Sequence, residues 1–136
     1  LFEILRTQAF FKERITLSSG KESDHYFDAR RVTLSAAGSF LTAKIMLDMV
    51  KGDKIEAIGG PTLGADPMVG AIASLSYQLN APIKAFLESL DVTDRMGIKV
   101  VKCISVISRQ EGADEALAKR GCKLESIFTS EQFLKL

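Results

Sequence analysis

The run VVKCISVIS, ending at Ser108, limits the possible architecture more than any other stretch of the chain. It is dominated by β-branched and apolar residues. Runs of this kind belong to parallel strands covered on both faces, whereas a strand with one wet face alternates apolar and polar residues. A parallel strand must return to its neighbour through a crossover, usually a helix, and the flanking sequence supplies that alternation. Strands are expected over residues 55–59, 83–86, 99–108 and 123–128, and helices over 67–79, 87–96 (stopped by Gly97) and 113–120, with a last short helix starting at Ser130. The implied fold is α/β: a parallel sheet flanked by helices, with ligands at the carboxyl ends of the strands.

The first third reads differently. Leu1, Ile4, Leu5 and Phe11 recur at helical spacing and suggest a short amphipathic helix over residues 1–11. Two short β pieces, 15–17 and 25–28, flank the polar turn SSGKES, in which Gly20 is free to take a positive φ. Residues 1–34 thus form a small N-terminal hood. Ser35 then caps a helix whose apolar face is expected to comprise Ala37, Phe40, Leu41, Ile45 and Met49, closed by Gly52.

With 136 residues, 46% of them hydrophobic, the chain suits one domain. Eighteen Lys and Arg against 17 Asp and Glu leave a net charge of +1, which gives no general attraction to nucleic acid or an acidic membrane. Any anion site must be built locally. Cys103 and Cys122 sit in or beside apolar strand-like runs and read as buried thiols in a reducing, cytoplasmic setting. No apolar run approaches the roughly 18 residues of a membrane span, and no charged-then-apolar leader opens the chain. The first residue is Leu1 rather than an initiating Met, so the gene product is expected to extend beyond it.

Three motifs carry possible chemistry. In IGGPTLGADP, residues 58–67, two glycines end a strand, Gly64 permits a second tight turn, Asp66 is a natural N-cap and Pro67 suits the first helical position. Such a loop can turn backbone N–H groups toward a phosphate or pyrophosphate; equally it can be an ordinary βα turn whose helix start Asp66 satisfies. It is neither a P-loop nor a dinucleotide fingerprint. In LSSGKESDHYFDARR, residues 17–31, Lys21, Arg30 and Arg31 accompany Tyr26 and Phe27, a mixture able to hold a flat anionic ring or simply to make a solvated loop over two core aromatics. His25 has no evident catalytic partner and reads as structural. In ISRQEGADEAL, residues 107–117, Arg109 stands just past the buried strand, where it can pair with a ligand carboxylate or with Glu111 or Asp114.

The order LSSGKES.HYFDAR, GGPTLGADP, SRQEGADEAL and LESIFTSEQF resembles the orotate phosphoribosyltransferases of the type I phosphoribosyltransferase fold, across nearly the whole chain. The resemblance implies transfer of phosphoribosyl from phosphoribosyl pyrophosphate to orotate, giving orotidine monophosphate and pyrophosphate in UMP biosynthesis. It also implies magnesium and a homodimer that shares its active sites. Carried onto this chain, it implies orotate binding by Tyr26, Phe27 and Arg109. Pyrophosphate binding falls to Thr62, Leu63, Gly64 and Ala65 in the loop that opens with Pro61. No residue stands out as a catalytic acid, base or nucleophile, and none as a metal ligand. Ser18 replaces a substrate-contacting lysine of some members, and Ser108 replaces the usual aspartate before the arginine.

The largest departure is in APIKAFLESLDV, where a strand and a helix meet without a turn residue. Between these elements the family places a basic flexible loop and a strand ending in an acidic DDxxTTG-like turn, which binds the ribose hydroxyls and the 5-phosphate. This chain has neither and is expected not to catalyse transfer as it stands. Two explanations compete: a few dozen residues of an ordinary enzyme are missing, or the chain is a non-catalytic ligand-binding or regulatory relative. A phosphoribosyltransferase for a purine base ranks below both. The first explanation places a gap between Phe86 and Leu87, wider than the about 3.8 Å that a peptide bond allows between Cα atoms.

Overall fold

In a computed structural model of the chain, residues 1–16, 20 and 22–135 are described. Leu17, Ser18, Ser19 and Lys21, which include the end of the expected 15–17 strand and the serine in place of a lysine, lie outside the described residues.

The hood opens with α1 (Phe2–Gln8), shorter than the expected 1–11 helix. Phe11 instead joins β1 (Phe10–Phe11). Its partner in an antiparallel pair is β4 (Tyr26–Phe27), with Phe10 opposite Phe27 and Phe11 opposite Tyr26. β2 (Ile15–Thr16) and β3 (Glu22–Ser23) form a second antiparallel pair. Gly20, between them, has the expected positive φ of 79°. After α2 (Arg30–Thr33), Ser35 caps α3 (Ala36–Met49) by accepting the Gly38 N–H at 3.1 Å. The buried face of α3 is Gly38, Thr42, Ala43 and Met46, while Phe40 is 52% exposed. The expected face is therefore rotated. The cause is the close crossing of α2, since a Cβ on Gly38 would lie 2.1 Å from the Val32 carbonyl oxygen and only a glycine lets the helices meet there.

The alternating half follows as β5 (Ala57–Gly60), α4 (Asp66–Gln78), β6 (Lys84–Leu87), α5 (Leu90–Arg95), β7 (Cys103–Ser108), α6 (Ala113–Ala118), β8 (Leu124–Thr129) and α7 (Ser130–Leu134). β5 pairs in parallel with β6 and β7 with β8. These are two βαβ units, as the alternation requires. They do not fuse into one sheet, because no hydrogen-bonded ladder joins β5 to β7. β7 is also shorter than the expected 99–108 strand, since its ladder starts where β8 begins and the preceding Val101 is 50% exposed.

The junction in KAFLES departs most from expectation. The strand runs unbroken through Phe86 and Leu87, with Gly60 opposite Leu87. The helix starts at Leu90 rather than Leu87, and Glu88 and Ser89 form the connection. The expected gap is absent. Leu87 is consequently a strand residue, half exposed at the end of β6. α5 ends as foreseen: Gly97 takes a φ of 69° and the Ile98 N–H reaches back to the Thr93 carbonyl at 3.0 Å.

One core joins the two halves. Leu5, Ala9, Val32, Ala43, Met46, Ile72, Val106 and Phe133 are buried together, with Ile58 of β5 and Ile104 and Ile107 of β7 packed against them. Phe133 stacks on Phe2 at 4.5 Å and meets Phe27 edge-on at 5.1 Å, so the last helix closes the hood over the sheet.

Candidate functional site

β5 and β7 begin at one end of the molecule. Lys102, just before β7, donates to the Met49 carbonyl at 2.8 Å and pairs with Asp53, in the turn before β5, at 2.7 Å. Glu125 of β8 approaches the same ammonium at 3.4 Å. The hydrogen bond from Lys102 to Asp53 is the main reason the lysine's pKa is raised, and the Glu125 carboxyl is held low, chiefly by Lys123 and then by Lys102. Sequence reasoning missed this clamp, because nothing about a lone lysine in an apolar run reveals a partner some 50 positions away. Both strands run away from it along the shared core, so the loop after β5 and Arg109 after β7 emerge at the other end.

The loop after β5 offers backbone rather than side chains. Thr62, Leu63 and Gly64 are exposed, Leu63 by 80%, and the Thr62–Leu63 peptide is cis. A Cβ on Gly60 would lie 2.5 Å from that of Ala65, and one on Gly59 2.3 Å from the Phe86 ring, so both glycines are fixed by packing. Gly64 is different: a Cβ there meets nothing within 4 Å. Asp66 does not act as the expected N-cap. It is the first residue of α4, Ala65 is the N-cap without a side-chain bond, and Pro67 lies in the first turn. Asp66 Oδ1 instead accepts the Thr62 hydroxyl at 2.8 Å, and its buried Oδ2 has no partner. The first amides of α4 are therefore free of a side-chain cap, which removes one objection to an anion in this loop.

Arg109 follows β7 immediately and takes the ion-pair alternative, meeting Glu111 Oε2 at 3.1 Å with both side chains nearly half exposed. Ser108 accepts the Gln110 N–H at 3.1 Å; Gln110 has a φ of 58°. The serine thus shapes the turn that presents Arg109.

In the hood, strand alternation sends Tyr26 and Phe27 to opposite faces. Phe27 stacks on Phe10 at 4.9 Å, so its ring belongs to the core. Tyr26 lies on the other face beside Arg30, whose pKa is raised by Asp28 first and by Tyr26 to a smaller extent. Arg31 covers the Phe11 ring at 4.6 Å. His25 bonds Asp24 at 2.7 Å and packs 5.8 Å from Phe27, a structural arrangement. No hydrogen bond or ion pair links Tyr26, the Thr62–Ala65 loop and Arg109 to one another among the described residues. A cavity lies elsewhere, between α3 and α4, lined by Ser39, Phe40, Ala71 and Leu75 among others. Among the described residues no group of three His, Cys, Asp or Glu side chains could hold a metal ion, and no helix is long and apolar enough to cross a membrane.

Two parallel βαβ units, a hood, and an uncapped glycine loop at the strand ends define the type I phosphoribosyltransferase fold. The crystal structure of Mycobacterium tuberculosis orotate phosphoribosyltransferase in complex with 5-phospho-α-D-ribosyl 1-diphosphate matches with a TM-score of 0.81 and 26% identity, covering 96% of this chain and 94% of that one. The orotate phosphoribosyltransferase of Aeropyrum pernix matches in fold with a TM-score of 0.81 at 21% identity, over 98% and 96% of the two chains. Among curated relatives, the orotate phosphoribosyltransferase of Rhodopseudomonas palustris strain BisB5 is 30% identical, over 98% of this chain and 94% of its own length; that of strain TIE-1 is 27% identical over 100% and 95%. The chain belongs to the orotate phosphoribosyltransferase family. No family model matches it. The alignment with the BisB5 relative runs over 176 positions, 40 more than the 136 residues of this chain.

Proposed function

We propose that this chain carries the orotate-binding and pyrophosphate-binding parts of an orotate phosphoribosyltransferase, and that phosphoribosyl transfer requires a central segment which its relatives have and it lacks. The 30% identity running along 98% of the chain carries this reading. In the reaction, the bond from the sugar's anomeric carbon to pyrophosphate breaks and a bond to the orotate nitrogen forms. Catalysis of this kind rests on positioning and on electrostatic stabilisation of the sugar cation and departing pyrophosphate. Arg109 takes the orotate carboxylate in exchange for Glu111, and Tyr26 with the β4 backbone flanks the ring. The backbone of Thr62, Leu63, Gly64 and Ala65, with the free amides of α4, holds the pyrophosphate. The described residues do not fit a protein-held magnesium site, so the magnesium that the family implies would arrive bound to the pyrophosphate substrate.

The split between β5 and β7 supports a missing central strand, since their bases are clamped together by Lys102 and Asp53 while no ladder joins them. The same absence removes the acidic turn and the basic loop. The exposed apolar side chains Phe40, Tyr77 and Leu79, on or just beyond α3 and α4, support assembly as a homodimer, and two free thiols suit a cytoplasmic setting.

The test is orotate-dependent release of pyrophosphate from phosphoribosyl pyrophosphate, comparing this chain with one that receives the relative's central segment between Phe86 and Leu87. The restored chain should turn over and this chain should not. Turnover by this chain, or none by a folded restored chain, would refute the proposal. A second reading, a ligand-binding or regulatory relative without transferase activity, is favoured by the unbroken β6 strand and its regular connection to α5. Orotate binding by this chain together with an inactive restored chain would select it.

A further inference from the structure

Cys103 and Cys122 take no part in the site described above, yet the fold holds them together. Cys103 is the first residue of β7 and Cys122 lies just before β8. In the parallel register Cys103 stands opposite Leu124, and its N–H donates to the Lys123 carbonyl at 2.8 Å. Cys122 lies two residues upstream of Leu124, where its N–H donates to the Leu117 carbonyl at 3.0 Å. The Cys122 thiol donates to Cys103 Sγ at 3.2 Å across 19 positions of sequence. The ladder holds the Cys103 backbone and the Leu117 carbonyl holds the Cys122 N–H, so the two sulfurs need approach by only about 1.2 Å to reach the roughly 2.0 Å of a disulfide. Both cysteines are free.

We propose that Cys103 and Cys122 form a dithiol modification site which a small-molecule disulfide converts to an intramolecular disulfide. Cys103 is partly exposed and Cys122 is 5% exposed, so Cys103 reacts first. Its thiolate attacks one sulfur of the small disulfide and expels the other as a thiolate, leaving a mixed disulfide on Cys103. Cys122 then loses its proton and attacks the Cys103 sulfur, expelling the second small thiolate. Two electrons pass from the protein thiols to the small disulfide, which leaves as two thiols. Burial is the main reason the Cys103 thiol is pushed up to about 12. Its thiolate is therefore scarce at neutral pH, and the closure rate rises about tenfold for each pH unit between 7 and 9. The new bond closes a loop of chain that contains β7, Arg109 and α6, a helix with no buried residue.

The folded chain, incubated with oxidised glutathione and then alkylated and weighed intact, should lose two hydrogens and bind no alkylating reagent. Peptide mapping should link Cys103 to Cys122, and the oxidised chain should melt at a higher temperature than the reduced one. Cys122→Ser should instead retain glutathione on Cys103. A lasting glutathione adduct on the unsubstituted chain, a disulfide between chains, or free thiols under conditions that oxidise the urea-unfolded chain would each overturn the proposal. The mass measurement uses the unsubstituted protein, so a variant that fails to fold does not affect the decision.

Discussion

Replacing Arg109 by alanine removes a cation that is already engaged, and the size of the effect follows from that engagement. A charge-assisted pair with an orotate carboxylate is worth about 1.5–3 kcal/mol. To form it, the guanidinium must first leave Glu111, whose contact at 3.1 Å between side chains nearly half exposed is worth at most about 1 kcal/mol. The net loss for Arg109→Ala is then about 0.5–2 kcal/mol, or roughly two- to thirtyfold in orotate affinity. Removing the competitor has the opposite sign: Glu111→Gln should tighten orotate binding by up to about fivefold, and the gain should vanish when Arg109 is already alanine. Calorimetric titration of orotate at fixed ionic strength into the single and double variants measures all three values. Unchanged affinity in Arg109→Ala, or a Glu111→Gln effect that persists without Arg109, would show that the pair lies outside the site. Melting temperatures should move little, because neither side chain is buried.

Two further substitutions separate ligand contact from folding. Gly64→Val places its side chain in open space, so thermal stability should be kept while phosphoribosyl pyrophosphate binding falls far more than orotate binding; equal loss of both ligands would mean that the turn itself had failed. Gly38→Ala drives a methyl to 2.1 Å from the Val32 carbonyl, and the resulting separation of α2 from α3 should cost about 1–3 kcal/mol in urea unfolding. An alanine variant as stable as the original chain would refute the close crossing as the reason for the rotated α3 face.

Local chemistry was legible where neighbouring residues decide the outcome. Ser35 caps α3, Gly97 ends α5 and Gly20 turns with a positive φ because each depends on one residue's own hydrogen bond or backbone freedom. The β-branched run and the alternation around it likewise settled that the strands are parallel and crossed over by helices, since a crossover is the only short route between parallel neighbours. The order of three glycine-, aromatic- and arginine-bearing segments was enough to point to the family.

Tertiary structure decided what depends on residues distant in sequence. Asp66 looked like a cap, but its carboxylate bonds the Thr62 hydroxyl because the glycine loop folds back over the helix start. Phe27 and Tyr26 read as an equivalent pair until strand pairing gave one ring to the core and the other to the face of Arg30. Arg109 had two candidate partners in sequence, and the left-handed turn at Gln110 that Ser108 supports accompanies its pairing with Glu111. The junction at Phe86 and Leu87 shows the limit most clearly. Sequence reads a strand that ends at Phe86 and a helix that starts at Leu87, yet strand pairing is cooperative along a register: once Lys84 to Phe86 lie beside Ala57 to Gly59, Leu87 can extend the ladder to Gly60 and leave the turn to Glu88 and Ser89.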